Sequence, residues 1–167
     1  MDDSKGLALA LEEARIGYGE GGVPIGAALV AADGRVLGRG RNMRVQNGNP
    51  ILHGETSCLQ NAGRLPSSAY RGSTMFTTLS PCDMCTGACI LYGIARVVIG
   101  ENETYLGGEA YLKQRGVEVV VLGSPECKEL MDKFIAEKPD VWNEDIGVEE
   151  RIYSREGIKA PTGASDA

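Results

Sequence analysis

Hydrophobic residues near the start of the chain recur first at helical and then at strand spacing. One face of a helix predicted over residues 5–18 is apolar, with Ser4 as its predicted N-cap. The apolar positions of that face are Leu7, Ala10, Leu11 and Ala14. An apolar run at 25–31 and a β-rich run at 35–41 flank the turn signal Asp33-Gly34, which predicts a β-hairpin.

Beyond this hairpin, predicted helices and strands alternate. A polar loop covers residues 42–50, and the later elements follow in the order helix, strand, helix, strand, helix, strand, helix. Their predicted ranges are 53–61, 73–79, 81–92, 95–99, 109–114, 117–122 and 125–138. Since helical crossovers join the last three strands, we expect these strands to be parallel. The pattern predicts an α/β fold, a three-layer α/β/α sandwich around a central five-stranded mixed sheet with a hairpin at one edge.

The size of the chain indicates a single domain. Its 167 residues suit one domain and are too few for two ordinary ones. Hydrophobic residues make up 43%, enough to form a core. We predict one domain over residues 1–153 and a disordered tail over 154–167. We see neither a signal peptide nor an apolar run near the roughly 20 residues that span a bilayer, so no membrane association is expected.

The net charge limits which binding partners we expect, and the cysteines indicate the cellular compartment. The net charge of -6 argues against a protein that binds nucleic acid, which needs a basic surface, and against a polybasic membrane-surface role. An odd number of cysteines, three of them within eight positions, does not resemble a secreted disulfide framework. We therefore expect a cytoplasmic location with thiols available to a metal. The cysteines are Cys58, Cys82, Cys85, Cys89 and Cys127.

Two short motifs carry the candidate chemistry, His53-Gly54-Glu55 and Pro81-Cys82-Asp83-Met84-Cys85. Each is weak alone, but together His53, Cys82 and Cys85 supply three zinc ligands and leave a fourth position open for water, as in a catalytic site. Both motifs fall at predicted helix starts, where the helix dipole favours the thiolate that binds metal. Glu55 lies two residues from His53 and can sit beside the metal without ligating it.

Other interpretations of the same residues account for less. A redox Cys-x-x-Cys pair would explain the two cysteines but not His53 and Glu55. A structural zinc site with four thiolates would need Cys58 or Cys89, which we expect to be small buried core residues. A lone histidine is more often structural than catalytic, yet here it stands beside an acid and a cysteine pair.

Longer stretches resemble the fungal cytosine deaminases of the cytidine deaminase superfamily. The paired motifs His-x-Glu and Pro-Cys-x-x-Cys are the signature of zinc-dependent nucleobase deaminases. The resemblance covers about residues 7–148 and is clearest at 20–26, 42–44, 52–55, 78–88, 98–102 and 144–147.

This resemblance implies an enzyme that hydrolyses the amino group of a free nucleobase. It implies conversion of cytosine to uracil and ammonia, in pyrimidine salvage, by a homodimer with one zinc ion per subunit. His53, Cys82 and Cys85 would bind that zinc, and Glu55 would shuttle protons as the catalytic residue. The partners implied are a small-molecule nucleobase and a second copy of the chain.

The resemblance also implies the residues that hold the base. Asn42 would read the carbonyl at C2, and Asp145 would accept hydrogen bonds from the exocyclic amine. Gly54, Tyr105 and Trp142 are the other predicted substrate-binding residues.

The chain departs from the fungal pattern at three positions near the expected pocket, which leaves the base open. Val45 and Tyr105 stand where the fungal enzyme has phenylalanine, and Asn143 follows the tryptophan where an aromatic residue is expected. The alternative substrates to cytosine are isocytosine, guanine, a triazine and adenosine in tRNA. A non-catalytic zinc or nucleotide-binding protein is the alternative class, against which Glu55 argues. Residues 142–146 are predicted to form a lid over the base.

Overall fold

Eight helices and five strands form the part of the chain that the computed structural model describes, residues 1–149. The helices are α1 (Asp3–Gly19), α2 (Arg44–Asn47), α3 (Gly54–Ala62), α4 (Ser67–Tyr70), α5 (Asp83–Leu91), α6 (Glu109–Gln114), α7 (Pro125–Glu137) and α8 (Pro139–Asp145). The strands are β1 (Gly26–Val30), β2 (Val36–Arg41), β3 (Thr74–Leu79), β4 (Arg96–Glu101) and β5 (Glu118–Val121). The predicted domain end at 153 and the predicted tail over 154–167 lie outside the described residues.

The five strands form one mixed sheet in the order β2-β1-β3-β4-β5. Strand β1 runs antiparallel to both β2 and β3, while β3, β4 and β5 are parallel to one another. The prediction of a five-stranded mixed sheet with a hairpin at one edge is therefore confirmed.

Helices cover both faces of this sheet, because side chains of the central strands alternate between two cores. Ala28 and Val30 of β1 pack with residues of α1 and α7. Ala27 and Leu29 point the other way, toward α3, α5 and α6. The predicted three-layer α/β/α sandwich is confirmed, and Cys58 and Cys89 lie in the second core as fully buried residues.

Helix α1 lies unusually close to the sheet, and two glycines allow this approach. A Cβ atom at Gly26 would lie 2.1 Å from the backbone oxygen of Ala10, and one at Gly6 would lie 2.3 Å from the ring of Phe76. Neither distance is compatible with a side chain, so these positions fix how α1 packs.

The sequence predictions failed mainly at short features. The N-cap of α1 is Asp2, whose side chain accepts a hydrogen bond from the Lys5 backbone at 2.8 Å, and Ser4 lies inside the helix. Pro81 precedes α5, whose N-cap is Cys82. Helix α2 lies within the predicted polar loop, and α4 was not predicted. Within residues 1–149, none of the helices combines the length and hydrophobicity that crossing a membrane requires.

Candidate active site

The two sequence motifs meet because β1 and β3 are antiparallel neighbours. The start of β1 and the end of β3 lie beside each other, on the side of the sheet where these strand ends meet, with Ala27 opposite Thr77. The chain leaves β3 there and enters α5 through its N-cap Cys82, while His53 is the N-cap of α3. Two helix N-termini thus converge at one point above the sheet edge.

The three predicted metal ligands form a cluster at this point. One ligand atom from each of His53, Cys82 and Cys85 lies within 4.8 Å of the other two. The Sγ atom of Cys82 is 3.4 Å from Nδ1 of His53. One imidazole and two sulfur atoms in this arrangement fit a zinc ion with a fourth position left for water.

Electrostatics within the cluster favour the thiolate form of Cys82, the form that binds metal. The hydrogen bond with Cys85, together with the nearby His53 ring, lowers the pKa of the Cys82 thiol to about 4. The same bond and burial raise the pKa of Cys85 well above its ordinary value, so the two thiols share one proton. Because ligand thiols must be deprotonated, metal binding displaces that proton. The chemistry of the donor set therefore fits zinc.

Glu55 lies in the first turn of α3, with its side chain buried beside the cluster. Its Oε1 atom accepts a hydrogen bond from Thr77 Oγ1 at 2.9 Å. Burial raises the pKa of Glu55 above its ordinary value. Sequence reasoning missed Thr77, although the alternation of β3 puts it on the same face as Met75, which faces α3 and α5.

A second buried carboxylate, Asp145, comes from the C-terminal end of α8. Asn42 donates from Nδ2 to both oxygens of Asp145 at 3.0 Å, and Arg44 donates from Nε to Oδ1 at 3.0 Å. The Arg44 backbone also donates to Oδ1 of Asn42 at 2.9 Å. Asn42 and Asp145 were expected in the site, whereas Arg44 was not. The signal that could have found it is the need of a buried carboxylate for a cationic partner.

A small pocket opens beside the cluster. Tyr105 and Trp142 form part of its wall, with ring centroids 6.1 Å apart in an edge-to-face arrangement. Trp142 is only 1% exposed. The pocket brings the metal cluster, a buried acid and the C-terminal helix together; its lining includes His53, Glu55, Cys82, Tyr105, Trp142 and Asp145.

Four other candidate positions lie outside the described lining of this pocket. Asn42 is fully buried and donates to Asp145. Gly54 is buried at the first turn of α3, where a Cβ atom would lie 3.1 Å from the Ile25 backbone oxygen. Val45 is 45% exposed on α2, and Asn143 donates its side-chain amide to the Glu149 backbone. The expectation that Val45 lies near the base therefore stays a prediction.

Sequence comparison gives the family. Residues 1–101 match the family described as the cytidine and deoxycytidylate deaminase zinc-binding region. A cytosine deaminase of Candida albicans is 58% identical over 147 residues, which cover 88% of this chain and 98% of that protein. A tRNA-specific adenosine deaminase of Haemophilus influenzae is 33% identical over 106 residues, which cover 63% of this chain and 61% of that protein.

Solved structures agree with this result. A structure from a study of A-to-I editing by tRNA:A34 deaminases has a TM-score of 0.65 at 30% identity and covers 76% of this chain and 99% of that chain. An α/β/α sandwich with an imidazole, two thiols and a buried acid at one sheet edge defines a zinc-dependent hydrolase. The chain belongs to the cytidine and deoxycytidylate deaminase family, with zinc as its cofactor and carbon–nitrogen bonds as its target.

Proposed function

We propose that the chain is a cytosine deaminase that hydrolyses free cytosine to uracil and ammonia. The observation that carries this proposal is how far the similarity to the Candida cytosine deaminase extends. An alignment of 147 of the 167 residues leaves out 20 at most, so it includes residues 21–147 wherever it begins. It therefore includes both metal-ligand helices and also α8, which supplies Trp142 and Asp145 to the pocket.

His53, Cys82 and Cys85, whose ligand atoms already lie together, would hold the zinc ion. When bound, zinc lowers the pKa of a water molecule so that hydroxide is available near neutral pH. In the net reaction the water oxygen bonds to C4 of the base, and the bond from C4 to the amine breaks.

Glu55 moves the protons of this reaction. It accepts the proton of the attacking water and delivers it to ring N3, and it then carries a proton to the departing amine, which leaves as ammonia. The hydrogen bond from Thr77 fixes one carboxylate oxygen, so the side chain is oriented before the base arrives.

Asp145 and the residues around it orient the base. The Asp145 carboxylate accepts hydrogen bonds from the exocyclic amine. Asn42 donates to both oxygens of Asp145, so its task here is to hold this carboxylate and not to read the carbonyl at C2. The first N–H groups of a helix have no acceptor within the helix, so the backbone N–H of Gly54 could serve as a donor if the base reaches the start of α3. Tyr105 and Trp142 form an apolar wall that excludes water and strengthens these hydrogen bonds.

Deamination of another amino-heterocycle is the second candidate function. Adenosine in tRNA is the alternative substrate that a specific observation favours. The similarity to tRNA-specific adenosine deaminases favours it, since they are relatives at 33–34% identity. The net charge of -6 argues against a polyanionic substrate. We therefore place the chain among enzymes of small free bases that do not bind nucleic acid.

The test is ammonia release by the zinc-loaded protein from cytosine, isocytosine, guanine, a triazine and an adenosine-containing tRNA anticodon stem-loop. We expect turnover of cytosine to exceed that of every other substrate. Faster turnover of any other substrate in this panel would show that the enzyme acts on that substrate instead of cytosine. No ammonia from any substrate, with zinc bound, would support a binding protein instead.

We further propose that the enzyme is a cytoplasmic homodimer acting in pyrimidine salvage. Apolar side chains are exposed along α5 and just before α3, and Leu91 is 76% exposed. Two of them, Leu91 and Tyr92, line a cleft between α3 and α5 that a second copy of the chain would cover. All five cysteines are free, which suits a reducing compartment. The exposed apolar side chains are Ile51, Met84, Leu91 and Tyr92.

Sedimentation analysis tests the homodimer. The wild-type protein is expected to sediment as a dimer, and Leu91→Glu as a monomer, because a charge would be buried in the contact. The matched control is Leu122→Glu, since Leu122 is 39% exposed and lies after β5, away from this cleft. A monomeric wild-type protein would contradict the proposal.

A further inference from the structure

The two ring nitrogens of His53 face different partners. Nδ1 lies 3.4 Å from Cys82 Sγ, so it is the nitrogen on the side of the metal position. Nε2 lies 3.4 Å from Oδ1 of Asp145, a residue of the last helix. One ring therefore connects the metal cluster with α8.

The Asp145 carboxylate is rigidly held where it meets this ring. Its side chain is only 1% exposed. Asn42 binds both of its oxygens, and Arg44 Nε binds Oδ1 at 3.0 Å. Arg44 also donates from Nη2 to the Glu144 backbone oxygen at 3.0 Å, so it ties the end of α8 to α2.

We propose that Asp145, fixed by Arg44, is a positioning residue for the metal ligand His53, so that zinc binding and docking of α8 are coupled. Histidines that bind metal usually donate their second N–H to a carboxylate or carbonyl, which fixes the tautomer and orients the ring. In this chain Nε2 lies 3.4 Å from Oδ1 of Asp145, so a proton on Nε2 would face the carboxylate and the lone pair of Nδ1 would be left for zinc. This inference rests on the proposed zinc ligands.

Coupling of this kind is reciprocal. If Asp145 strengthens zinc binding only when α8 is docked, zinc must stabilise the docked helix by the same factor. Asp145 thus has a task besides contact with the base, because it links closure of the pocket to the order of the metal site. The closed, substrate-ready form of the enzyme is then the form that holds zinc best.

The first experiment measures zinc affinity by competition with a chromophoric chelator. Loss of an outer partner of a metal ligand typically weakens metal binding by about 10–100-fold, and we expect such a loss for Asp145→Ala and Arg44→Ala. Asp145→Asn, which preserves the shape of the side chain, is expected to lie between these variants and the wild type. The matched control is Glu144→Ala: this neighbouring carboxylate is exposed and pairs with Arg44 only at 3.9 Å. Its zinc affinity should equal that of the wild type.

The second experiment needs no activity. Hydrogen exchange of the α8 amides is expected to slow when zinc is added to the wild-type protein, to slow less in Asp145→Asn, and to be insensitive to zinc in Asp145→Ala. Wild-type zinc affinity in Asp145→Ala and Asp145→Asn, or equal zinc protection of α8 in all proteins, would overturn the inference. Cys82→Ala distinguishes failure of the proposed zinc ligands from failure of the role of Asp145. If Cys82→Ala and the Asp145 variants all retain zinc, the proposed ligand set is wrong. If Cys82→Ala loses zinc and the Asp145 variants do not, only the role of Asp145 is wrong.

Discussion

Glu55 is the residue whose surroundings are most closely matched to one task. It is buried beside the three ligand atoms, and its carboxylate is held by Thr77 from the neighbouring strand. A solvated acid would gain nothing from this hydrogen bond, because water would supply it. A proton carrier gains orientation, since the carboxylate keeps its position through several transfer steps.

Replacement of Glu55 by glutamine should separate chemistry from metal binding. The amide has nearly the same shape but cannot accept and return a proton, and such transfer contributes typically about 10²–10⁴-fold to a rate. We expect Glu55→Gln to keep one zinc per chain and the folded structure, and to lose at least this factor in kcat. Thr77→Val, which leaves the carboxyl group but removes its anchor, should lose a smaller factor. Near-normal turnover in Glu55→Gln, measured as ammonia release, would remove Glu55 from the mechanism.

The residues of the site divide into those that sequence can reveal and those that it cannot. His53, Glu55 and the cysteine pair have fixed local spacing, so their proximity follows from helix geometry and an expected sheet edge. Arg44 contacts Asp145, which is 101 positions away in the sequence, and no local pattern predicts that contact. Val45 is a different case: resemblance suggested a position near the base, but it could not show that 45% of this residue is exposed.

Helix α8 and the residue after it form part of the pocket wall. Trp142 and Ile146 lie one helical turn apart and both line the pocket, together with Asp145. Trp142 also packs in a core cluster with Phe134 of α7, so α8 belongs to the core and to the pocket at once. We interpret residues 142–146 as a lid that opens to release the product.

Shortening one side chain of this lid should change release more than chemistry. Ile146→Ala removes apolar contact above the pocket without touching Glu55 or the metal ligands. If lid opening limits turnover, KM for cytosine is expected to rise several-fold while kcat stays the same or increases. Val141→Ala is the control, since Val141 packs in the same cluster but is not among the described pocket residues. A fall in kcat with unchanged KM, from steady-state kinetics, would contradict a limiting lid.

Element prediction from sequence worked where periodicity extends over several turns. The longer helices α1, α5 and α7 and all five strands were found within a few residues of their observed ends. Helices α2 and α4 have four residues each, which is too short for an apolar period to repeat. The α1 cap was misassigned because Asp2 and Ser4 are both good N-cap residues, and only the hydrogen bond to Lys5 distinguishes them.

At the scale of the whole molecule, the contact between α1 and the sheet sets the spacing of two layers. Phe76 lies in the central strand β3, so its ring cannot move aside without disturbing its neighbours. Gly6→Ala would place a methyl group 2.3 Å from that ring, and such overpacking typically costs about 1–3 kcal/mol. We expect this loss in the free energy of unfolding by urea. Gly19→Ala, at the open end of the same helix with nothing within 4 Å, should be neutral or slightly stabilising.

A salt bridge joins the first turn of α1 to the parallel half of the sheet, and its contribution should depend on pH. Arg96 of β4 donates from Nη1 and Nη2 to the two oxygens of Asp3, the second at 2.8 Å, and its Nε lies 3.1 Å from Glu118 of β5. The hydrogen bond from Arg96 lowers the pKa of Asp3 below its ordinary value of 3.8, although burial opposes it. A carboxylate with a lowered pKa stabilises the folded state above its unfolded pKa, and this stabilisation is lost as the pH falls through the folded value.

Asp3→Asn therefore tests this link between α1 and the sheet. The two side chains are 26% and 29% exposed, so the bridge is partly screened and worth about 1 kcal/mol or less. That corresponds to a fall in Tm of about 2–4 °C at most at pH 7. The difference in Tm between wild type and variant should shrink as the pH drops below 3.8, because protonation removes the wild-type advantage. Effects of zinc loss at acid pH are common to both proteins and cancel in this difference. A difference that stays constant from pH 7 to pH 3 would show that Asp3 acts through packing and not through its charge.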